Sequence, residues 1–526
     1  MENPEATPYS NDEQDRFCKR IDYAIKRRTL YEPIIDEAYE YALPLRERTY
    51  SGGDPLPDLS HLFDSTAIQS VQALASQMLD DIWPTDSKPF ELKAGKEVPE
   101  DQREEVDKGL AEVTEDLVET INNSNFRSVA HEALMDWTIG EGFILPEDGS
   151  DIDPTVPLIN RTLSLTEAIT DIGPTGSKDL LARKRKVRGG DVMSAYPDAT
   201  LSQDLKDAIK KDENKDFVFL EGWERDRTNR GTETWVWRVI SMDVEIAGTK
   251  KEMIERKEIS GAGSKPFVDF SYMRTGNEVM GRGPTMLALP TIKTVNLVQQ
   301  LILENADMAL AGMYQAEDDG VLNPDTVIIE PRTVIPIAPG SAGLRPVESA
   351  GNFNLSDMVI RDLQNQIIQI MLGDDLGAPE GTPMSATEVM ARTSNTARRR
   401  AGPYTRLLVE LLQQYVKRVA YIRVKQGKIK LPPIDGRKIL IRPLGPLTRA
   451  QGLDEVQRHV QYMQFLNELH GPQQAQIIVN ADESSKFLAK KLGIDARVLR
   501  SKADQEQIIQ AIAQMAAMQA QGTQAA

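Results

Sequence analysis

Three pairs of adjacent aspartates are the residues whose type best suits metal-assisted chemistry on a nucleic acid. Carboxylate oxygens are preferred ligands of Mg²⁺, and a metal-dependent nuclease needs several of them around one ion. Adjacent residues on a helix or a strand point in different directions, so one pair alone does not converge on an ion. The three pairs are Asp80-Asp81, Asp318-Asp319 and Asp374-Asp375. They make a Mg²⁺-dependent nucleic-acid enzyme one hypothesis for this chain, but not the favoured one.

The segment from Gly173 to Lys178 comes nearest to a phosphate-binding loop. That motif needs four residues between its two glycines and a Ser or Thr directly after its lysine. Here Gly173 and Gly176 stand closer together, and Ser177 precedes Lys178. The segment is therefore predicted to be a turn. The glycine pair at 261–263, like the pair at 281–283, lacks the third glycine of a dinucleotide site and is also predicted to be a turn.

Histidine and cysteine are too few and too scattered to indicate a structural zinc site. The chain has four histidines and one cysteine, Cys18, whereas zinc sites combine clustered Cys and His ligands. A single cysteine also excludes a disulfide within the chain and suits a reducing cytoplasm. We therefore expect no metal, no cofactor and no enzymatic activity.

No part of the sequence is predicted to enter or cross a membrane. Residues 1–14 are polar and acidic, unlike a signal or transit peptide. We also find no uninterrupted apolar stretch near the roughly 18 residues that indicate a membrane helix.

The formal net charge of −18 is unusual for a protein that grips DNA, because such proteins neutralise phosphates with a basic patch. Two interpretations stay open: the carboxylates serve solubility, or they form a wall from which DNA is repelled. Two basic runs interrupt the pattern. Arg183 to Arg188 is predicted to be an exposed strand edge or a solvated loop. Arg398 to Arg400 is expected to pair with acidic residues of a neighbouring subunit or to touch phosphates.

Hydrophobic periodicity predicts an α+β protein that is mainly helical. The first part of the chain is predicted to form helices at 12–43 (with a break near Arg28), 65–82, 104–122 and 129–137, and a strand at 90–92. Short runs rich in β-branched and aromatic residues follow and are predicted to be strands. They are 156–160, 217–223, 234–240 and 266–273, with a hairpin turn at 227–231.

A long helix is predicted from Pro284 to about Ala311, with a bend or a late start at Pro290. Most of its surface is apolar, and its polar residues form one narrow stripe at helical spacing: Lys293, Asn296, Gln300, Glu304 and Asp307. An ordinary surface helix has a narrower apolar face. The pattern fits either a helix in a ring that lines a channel, with the stripe facing the channel, or a core helix of a large domain.

The segments after this helix complete the predicted order of elements. Residues 315–346 are rich in Gly, Pro and Asp around two strand-like runs, 326–329 and 333–337. A helix follows at 355–372, and then an acidic loop at 373–384 contains Asp374, Asp375, Gly377 and Gly381. Ser385 and Glu388 form a capping box for a helix to about 425, with a kink expected at Gly402-Pro403. A strand at 439–441 precedes helices that are predicted at 448–469, 472–479, 483–492 and 503–520.

Several blocks in this order resemble the head-to-tail connector, or portal, proteins of short-tailed bacteriophages. The most specific is the corner Gly281-Arg282-Gly283-Pro284 followed by 288–294. The others are 63–67, 74–78 with Trp83-Pro84, 131–134 with 140–142, 385–389 with Gly402-Pro403, and 444–447. Each block alone has moderate specificity, and their combination extends over most of the chain.

The resemblance implies a portal fold that assembles into a ring. It implies a wing at 1–283, stem helices at 284–312 and 355–372 on either side of a clip at 313–354, a tunnel loop at 373–384, further wing at 385–444, and a helical crown at 445–526. The ring would be a dodecamer at one vertex of a capsid, built in the host bacterial cytoplasm, through which double-stranded DNA is packaged and ejected.

The resemblance also implies partners: the terminase large subunit, tail adaptor or nozzle proteins, and the major capsid, scaffold and internal core proteins. Contact with the DNA would be independent of its sequence. The alternatives are another virion structural protein, such as an adaptor or an internal core protein, and the metal-dependent enzyme considered first.

Overall fold

A computed structural model describes residues 11–46, 59–150, 153–228, 231–242, 251–311, 314–316, 344–346, 353–372, 399–432, 434 and 436–492. Five helices form most of the N-terminal part. They are α1 (Asn11–Arg28), α2 (Glu32–Ala42), α3 (Thr66–Ile82), α4 (Glu100–Asn122) and α5 (Phe126–Ile139), with β1 (Phe90–Ala94) between α3 and α4. The predicted break between α1 and α2 is confirmed. At the start of α3 the carboxylate of Asp64 accepts a hydrogen bond from the amide of Thr66, and the side chain of Ser65 makes no capping bond.

Two sheets follow the helices. β2 (Glu141–Asp148) is the centre of a three-stranded sheet between β3 (Leu158–Leu163) and β9 (Val268–Ser271). The second sheet has the antiparallel order β4-β5-β6-β7-β8. Its strands are β4 (Ile169–Ile172), β5 (Lys178–Arg188), β6 (Asp216–Asp226), β7 (Thr234–Ser241) and β8 (Glu252–Ser260), and two short helices, α6 (Val192–Ala195) and α7 (Gln203–Lys211), lie between β5 and β6.

The basic run on β5 lies at an edge of this sheet, as predicted. β4 pairs with β5 only as far as Ala182, so Arg183 to Arg188 form ladder bonds with β6 alone. Burial by itself would raise the pKa of Glu221 on β6, but Arg183, Arg185 and the Tyr196 hydroxyl outweigh it and lower that pKa. Arg183 and Arg185 form ion pairs of 2.7 and 3.1 Å with Glu221. The basic run therefore has a structural role within the sheet.

Two antiparallel helices extend from this body, and two short strands lie between them in the chain. The helices are α8 (Pro284–Ala311) and α9 (Phe353–Ile370), and the strands β10 (Tyr314–Ala316) and β11 (Leu344–Pro346) pair antiparallel. α8 runs continuously through Pro290, so the late start is wrong. The predicted strand-like runs at 326–329 and 333–337 fall outside the described residues.

The chain then returns to the N-terminal helices. Residues 399–407 are helical without interruption at Gly402-Pro403, a π-helical turn occupies Leu408–Gln413, and α10 spans Gln414–Lys425. Tyr404, Leu411, Tyr415 and Val419 share one core with residues of α3, α4 and α5. β12 (Ile439–Pro443) pairs with β1, so the returning segment completes a two-stranded sheet with the N-terminal part of the chain.

The last described part is helical, as predicted. α11 (Pro446–Ile478) consists of two helices on either side of a kink at Gly471, whose φ is 77°. α12 (Ala481–Leu492) packs back on α11, with the ring of His459 beside Phe487. The predicted helix at 503–520 lies outside the described residues.

Candidate functional site: the α8–α9 hairpin and its attachment

The corner before α8 is held by contact between two stretches of backbone. The amide of Gly283 donates to the carbonyl of Ile139 at 2.7 Å, and the amide of Tyr272 donates to Gly140 at 3.0 Å. A Cβ on Gly283 would lie 2.0 Å from the carbonyl oxygen of Thr138, and one on Gly281 would lie 2.6 Å from that of Gly140. Only glycine permits this approach.

α8 begins directly after that contact, and its first turn is fixed. Pro284 suits the first turn because it has no amide to satisfy. The buried Thr285 lies against α5, where its hydroxyl is 3.3 Å from that of Thr138. Ala288, Ile292 and Val295 share a core with Ile367 of α9 and with Met371 directly after it. The attachment therefore sets the direction in which both helices leave the body.

A network of buried charges lies beneath this attachment. Lys178, the lysine of the loop that resembles a phosphate site, donates to the carboxylate of Glu141 and is 1% exposed. Its charge therefore serves an internal carboxylate. Burial raises the pKa of Glu141 despite Lys178. Burial would also raise the pKa of Asp269, but Lys265 and Lys178 outweigh it and lower that pKa.

The structure contradicts one of the five predicted channel-lining residues. The side chain of Asn296 is 7% exposed and is held by the backbone of the loop before α3. Its Oδ1 accepts from the amides of Phe63 at 2.7 Å and Asp64 at 3.3 Å, and its Nδ2 donates to the carbonyl of His61 at 2.7 Å. Asn296 therefore ties α8 to the body and is not a channel residue.

The other four residues of the stripe lie at the surface or near it. Lys293 forms a half-exposed ion pair of 3.2 Å with Glu37 of α2. Gln300 donates to Glu304 at 2.8 Å along the helix, and Glu304 and Asp307 are exposed. The place of these four residues on a channel wall stays a prediction.

Two arginines hold the end of α9, a role that sequence reasoning missed. The buried Arg400 donates to the carbonyl of Leu372 at 3.2 and 3.3 Å, and Arg399 donates to that of Gln369 at 2.7 Å. Leu372 has a φ of 55°, and it is the one non-glycine residue with positive φ in the described chain. The carbonyls at the end of a helix need hydrogen-bond donors. Here the donors belong to residues 28 and 30 positions further along the chain. Local sequence patterns therefore do not indicate this role.

The loop after this clamp carries the second group of predicted site residues. Asp374, Asp375, Gly377 and Gly381 all lie outside the described residues, and the loop stays a prediction. Arg399 and Arg400 hold the helix end just before this segment and are themselves the first described residues after it. The two ends of the segment 373–398 are therefore close together.

The remaining candidates for chemistry that lie in the described residues have structural partners, whereas Asp318-Asp319 fall outside those residues. Asp80 of the first aspartate pair binds Arg127 at 2.5 Å. Across the described ranges, no group of three metal-ligating side chains comes together. The Gly173–Lys178 segment is a turn between β4 and β5, closed by a bond of 2.9 Å from Gly173 to Ser177.

By length and composition alone, one helix in the described part of the chain is apolar enough to cross a bilayer. It spans Pro284–Asp307, with a mean hydropathy of 1.3, and 33% of it is buried. This corrects the expectation that no stretch qualifies, which counted only uninterrupted apolar residues. Core helices of water-exposed proteins pass the same test, so the finding identifies an apolar helix and no membrane.

Comparison with known proteins agrees with the resemblance to bacteriophage head-to-tail connectors in general. A model of the family described as bacteriophage head to tail connecting protein matches residues 14–499. No curated protein sequence matches the chain. One similar solved structure is the neck of an empty GTA particle, computed with C6 symmetry, at 12% identity, a TM-score of 0.33, and coverage of 82% of this chain and 92% of that one.

A second similar structure is the virion of a native gene transfer agent (GTA) particle. Its identity is also 12% and its TM-score is 0.35, with 81% of this chain and 95% of that chain covered. Both scores are low, so the match to the family model carries the assignment.

We expect Gly283→Ala to lower the free energy of unfolding by about 3 kcal/mol or to prevent folding, because the new methyl group overlaps the backbone at Thr138. The measurement is denaturant unfolding. Gly276→Ala is the matched control, since a Cβ there meets nothing within 4 Å. A Gly283→Ala protein as stable as the control would contradict the attachment described here.

We expect Arg400→Met to destabilise the protein by about 1–3 kcal/mol, because it leaves the Leu372 carbonyl without these donors. Amide hydrogen exchange should rise in the last turn of α9. Arg399→Met removes an exposed donor and should have the smaller effect. Equal effects of the two substitutions would show that burial of Arg400 is not what makes it important.

Proposed function

Because this chain belongs to the family of bacteriophage head-to-tail connecting proteins, we propose that its copies form the ring at one capsid vertex through which double-stranded DNA enters and leaves the head. Membership makes the chain a structural component of the virion and not an enzyme. The proposal goes further, to the ring, the channel and the passage of DNA in both directions.

The observation that carries the proposal is the α8–α9 hairpin on its rigid attachment. α8 has a mean hydropathy of 1.3 over Pro284–Asp307, yet only a third of it is buried within the chain. An exposed apolar helix face of this kind usually packs against another protein surface. In a closed ring each copy supplies that surface to its neighbour, and no copy at an end is left with its apolar face exposed. α8 and α9 would then be the stem, and the segment between them, which contains β10 and β11, would be the clip.

The central channel would be lined in part by Lys293, Gln300, Glu304 and Asp307, with Asn296 removed from the original set. Glu304 and Asp307 are exposed near the distal end of α8, and the net charge of the chain is −18. Repeated around a ring, such carboxylates would repel phosphates, so that DNA slides without being held. The 373–384 segment would be the tunnel loop, next to the clamp at the end of α9.

The assembly and partners follow from the family resemblance. We propose a dodecamer in the virion, assembled in the host cytoplasm. The clip would bind the terminase large subunit during packaging and tail adaptor or nozzle proteins afterwards. The wing and the helical 445–526 region would contact the major capsid, scaffold and internal core proteins.

Mass photometry and negative-stain microscopy of the purified protein test the ring. The expected result is a particle of about twelve subunits with a central hole, by the family resemblance and by closed cyclic symmetry. A protein that stays monomeric or forms open filaments at micromolar concentration would overturn the ring and favour a different virion component.

We expect the double substitution Glu304→Lys and Asp307→Lys to leave assembly intact and to slow DNA packaging in vitro, because a basic ring holds phosphates. The slowing should diminish as salt is raised, since screening weakens the attraction. The matched control is Glu258→Lys with Asp198→Lys, which changes the same charge on the β-rich part. Packaging at the wild-type rate would remove these residues from the channel wall.

A further inference from the structure

One face of α8 carries an exposed apolar ridge that the chain itself does not cover. Leu287, Leu297 and Leu301 are 57%, 54% and 48% exposed, and Pro290 and Thr294 between them are also exposed. These positions recur at intervals of three and four residues, so they lie along one side of the helix. They define the α8 ridge.

The ridge lies away from the contacts that α8 makes within the chain. Ala288, Ile292 and Val295 face the core shared with α9, and helical spacing puts them on the opposite side from Leu297 and Leu301. Because Gly283 and Asn296 fix α8 on the body, the ridge is held in place and is not free to rotate into the core.

A second apolar feature lies elsewhere on the same chain. An apolar groove of about 690 Å³ lies between the end of α2, the loop before α3 and helices α3 and α5. Leu62, Ile68 and Met135 line it, and Leu45 and Leu59 at its edge are 71% and 40% exposed. No described residue of α8 lines the groove, so the ridge of a chain does not fill its own groove.

We infer that the α8 ridge of one copy docks in the groove of the next copy, with Leu297 and Leu301 as the inserted side chains. This inference rests on the ring of the proposed function and assigns its contact. Ridge and groove share no residue, so the contact is heterologous: each copy uses its ridge on one neighbour and its groove on the other. Heterologous contacts close into rings when the rotation between copies allows it.

The surroundings of the ridge favour a second copy over a lipid surface. Lys293, Glu304 and Asp307 border the ridge, and the opposite side of α8 is packed against protein. A membrane would require these charges to enter hydrocarbon. The groove has a mixed rim, with Arg46 and Glu132 beside its leucines, which is the usual composition around an apolar contact between proteins.

Cysteine cross-linking tests the contact in the full chain. Cys18 is buried and burial raises the pKa of its thiol, so the native protein gives a low background. Leu297→Cys is combined in turn with Leu45→Cys and with Leu59→Cys, and the proteins are oxidised and separated on denaturing gels. We expect a ladder of covalent oligomers from at least one pair, and monomers only from each single variant.

The outcomes separate this inference from the ring itself. Particles with a central hole and no cross-link from either pair would overturn the ridge-in-groove contact and leave the ring standing. Dimers from Leu297→Cys alone would show that two ridges face each other, which also overturns it. Cross-linked chains without closed rings would support the contact and count against the proposed ring.

A second measurement uses the leucines themselves. We expect Leu297→Ser with Leu301→Ser to weaken association about tenfold or more per contact, because each serine removes apolar surface from the interface. The melting temperature of the monomer should change little, since both side chains are half-exposed there. Val409→Ser, at a similarly exposed site, is the control. Two results would overturn the inference. One is unchanged assembly of the double variant. The other is a wild-type protein that binds lipid vesicles and a double variant that loses this binding but still forms rings.

Discussion

Backbone packed directly on backbone holds the α8–α9 hairpin to the rest of the molecule. At Gly281 and Gly283 the chain approaches residues 138–140 so closely that no side chain fits between. A contact of this kind tolerates little displacement, because hydrogen bonds and steric limits act on the same atoms. Everything further along α8, including the side that each residue presents, therefore follows from the corner before it.

Periodicity in the sequence predicted most helices of this fold, and the corner was recognised from its residue types. The strands were harder. β8 was missed because charged residues interrupt its apolar pattern, and β5 was predicted only in its basic half, as a strand edge or a loop. The sheet satisfies the charges of that half through neighbours such as Glu221, which no local window reveals. Propensity describes a segment by itself, whereas these strands depend on partners that tertiary structure supplies.

Asn296 and Arg400 are residues of the candidate site whose contacts could not be predicted from the sequence pattern. The spacing of polar residues on α8 correctly indicated a stripe, but it gave no information on the surface that each member meets. Asn296 meets three backbone groups of a loop more than two hundred residues earlier. Arg400 meets a carbonyl across a gap of 28 residues. A buried polar side chain satisfied by backbone has the same sequence pattern as an exposed one.

The two properties of α8 that favour a ring occupy neighbouring sectors of one helix. Its polar border includes Glu304 and Asp307, and its apolar ridge includes Leu297 and Leu301, about a quarter turn away on the helical wheel. In a ring of parallel helices, the side toward the axis and the side toward a neighbour differ by about that angle. In the proposed ring, one fixed orientation of α8 would therefore turn its carboxylates toward the channel and its leucines toward a neighbouring copy. The glycine corner and Asn296 fix that orientation.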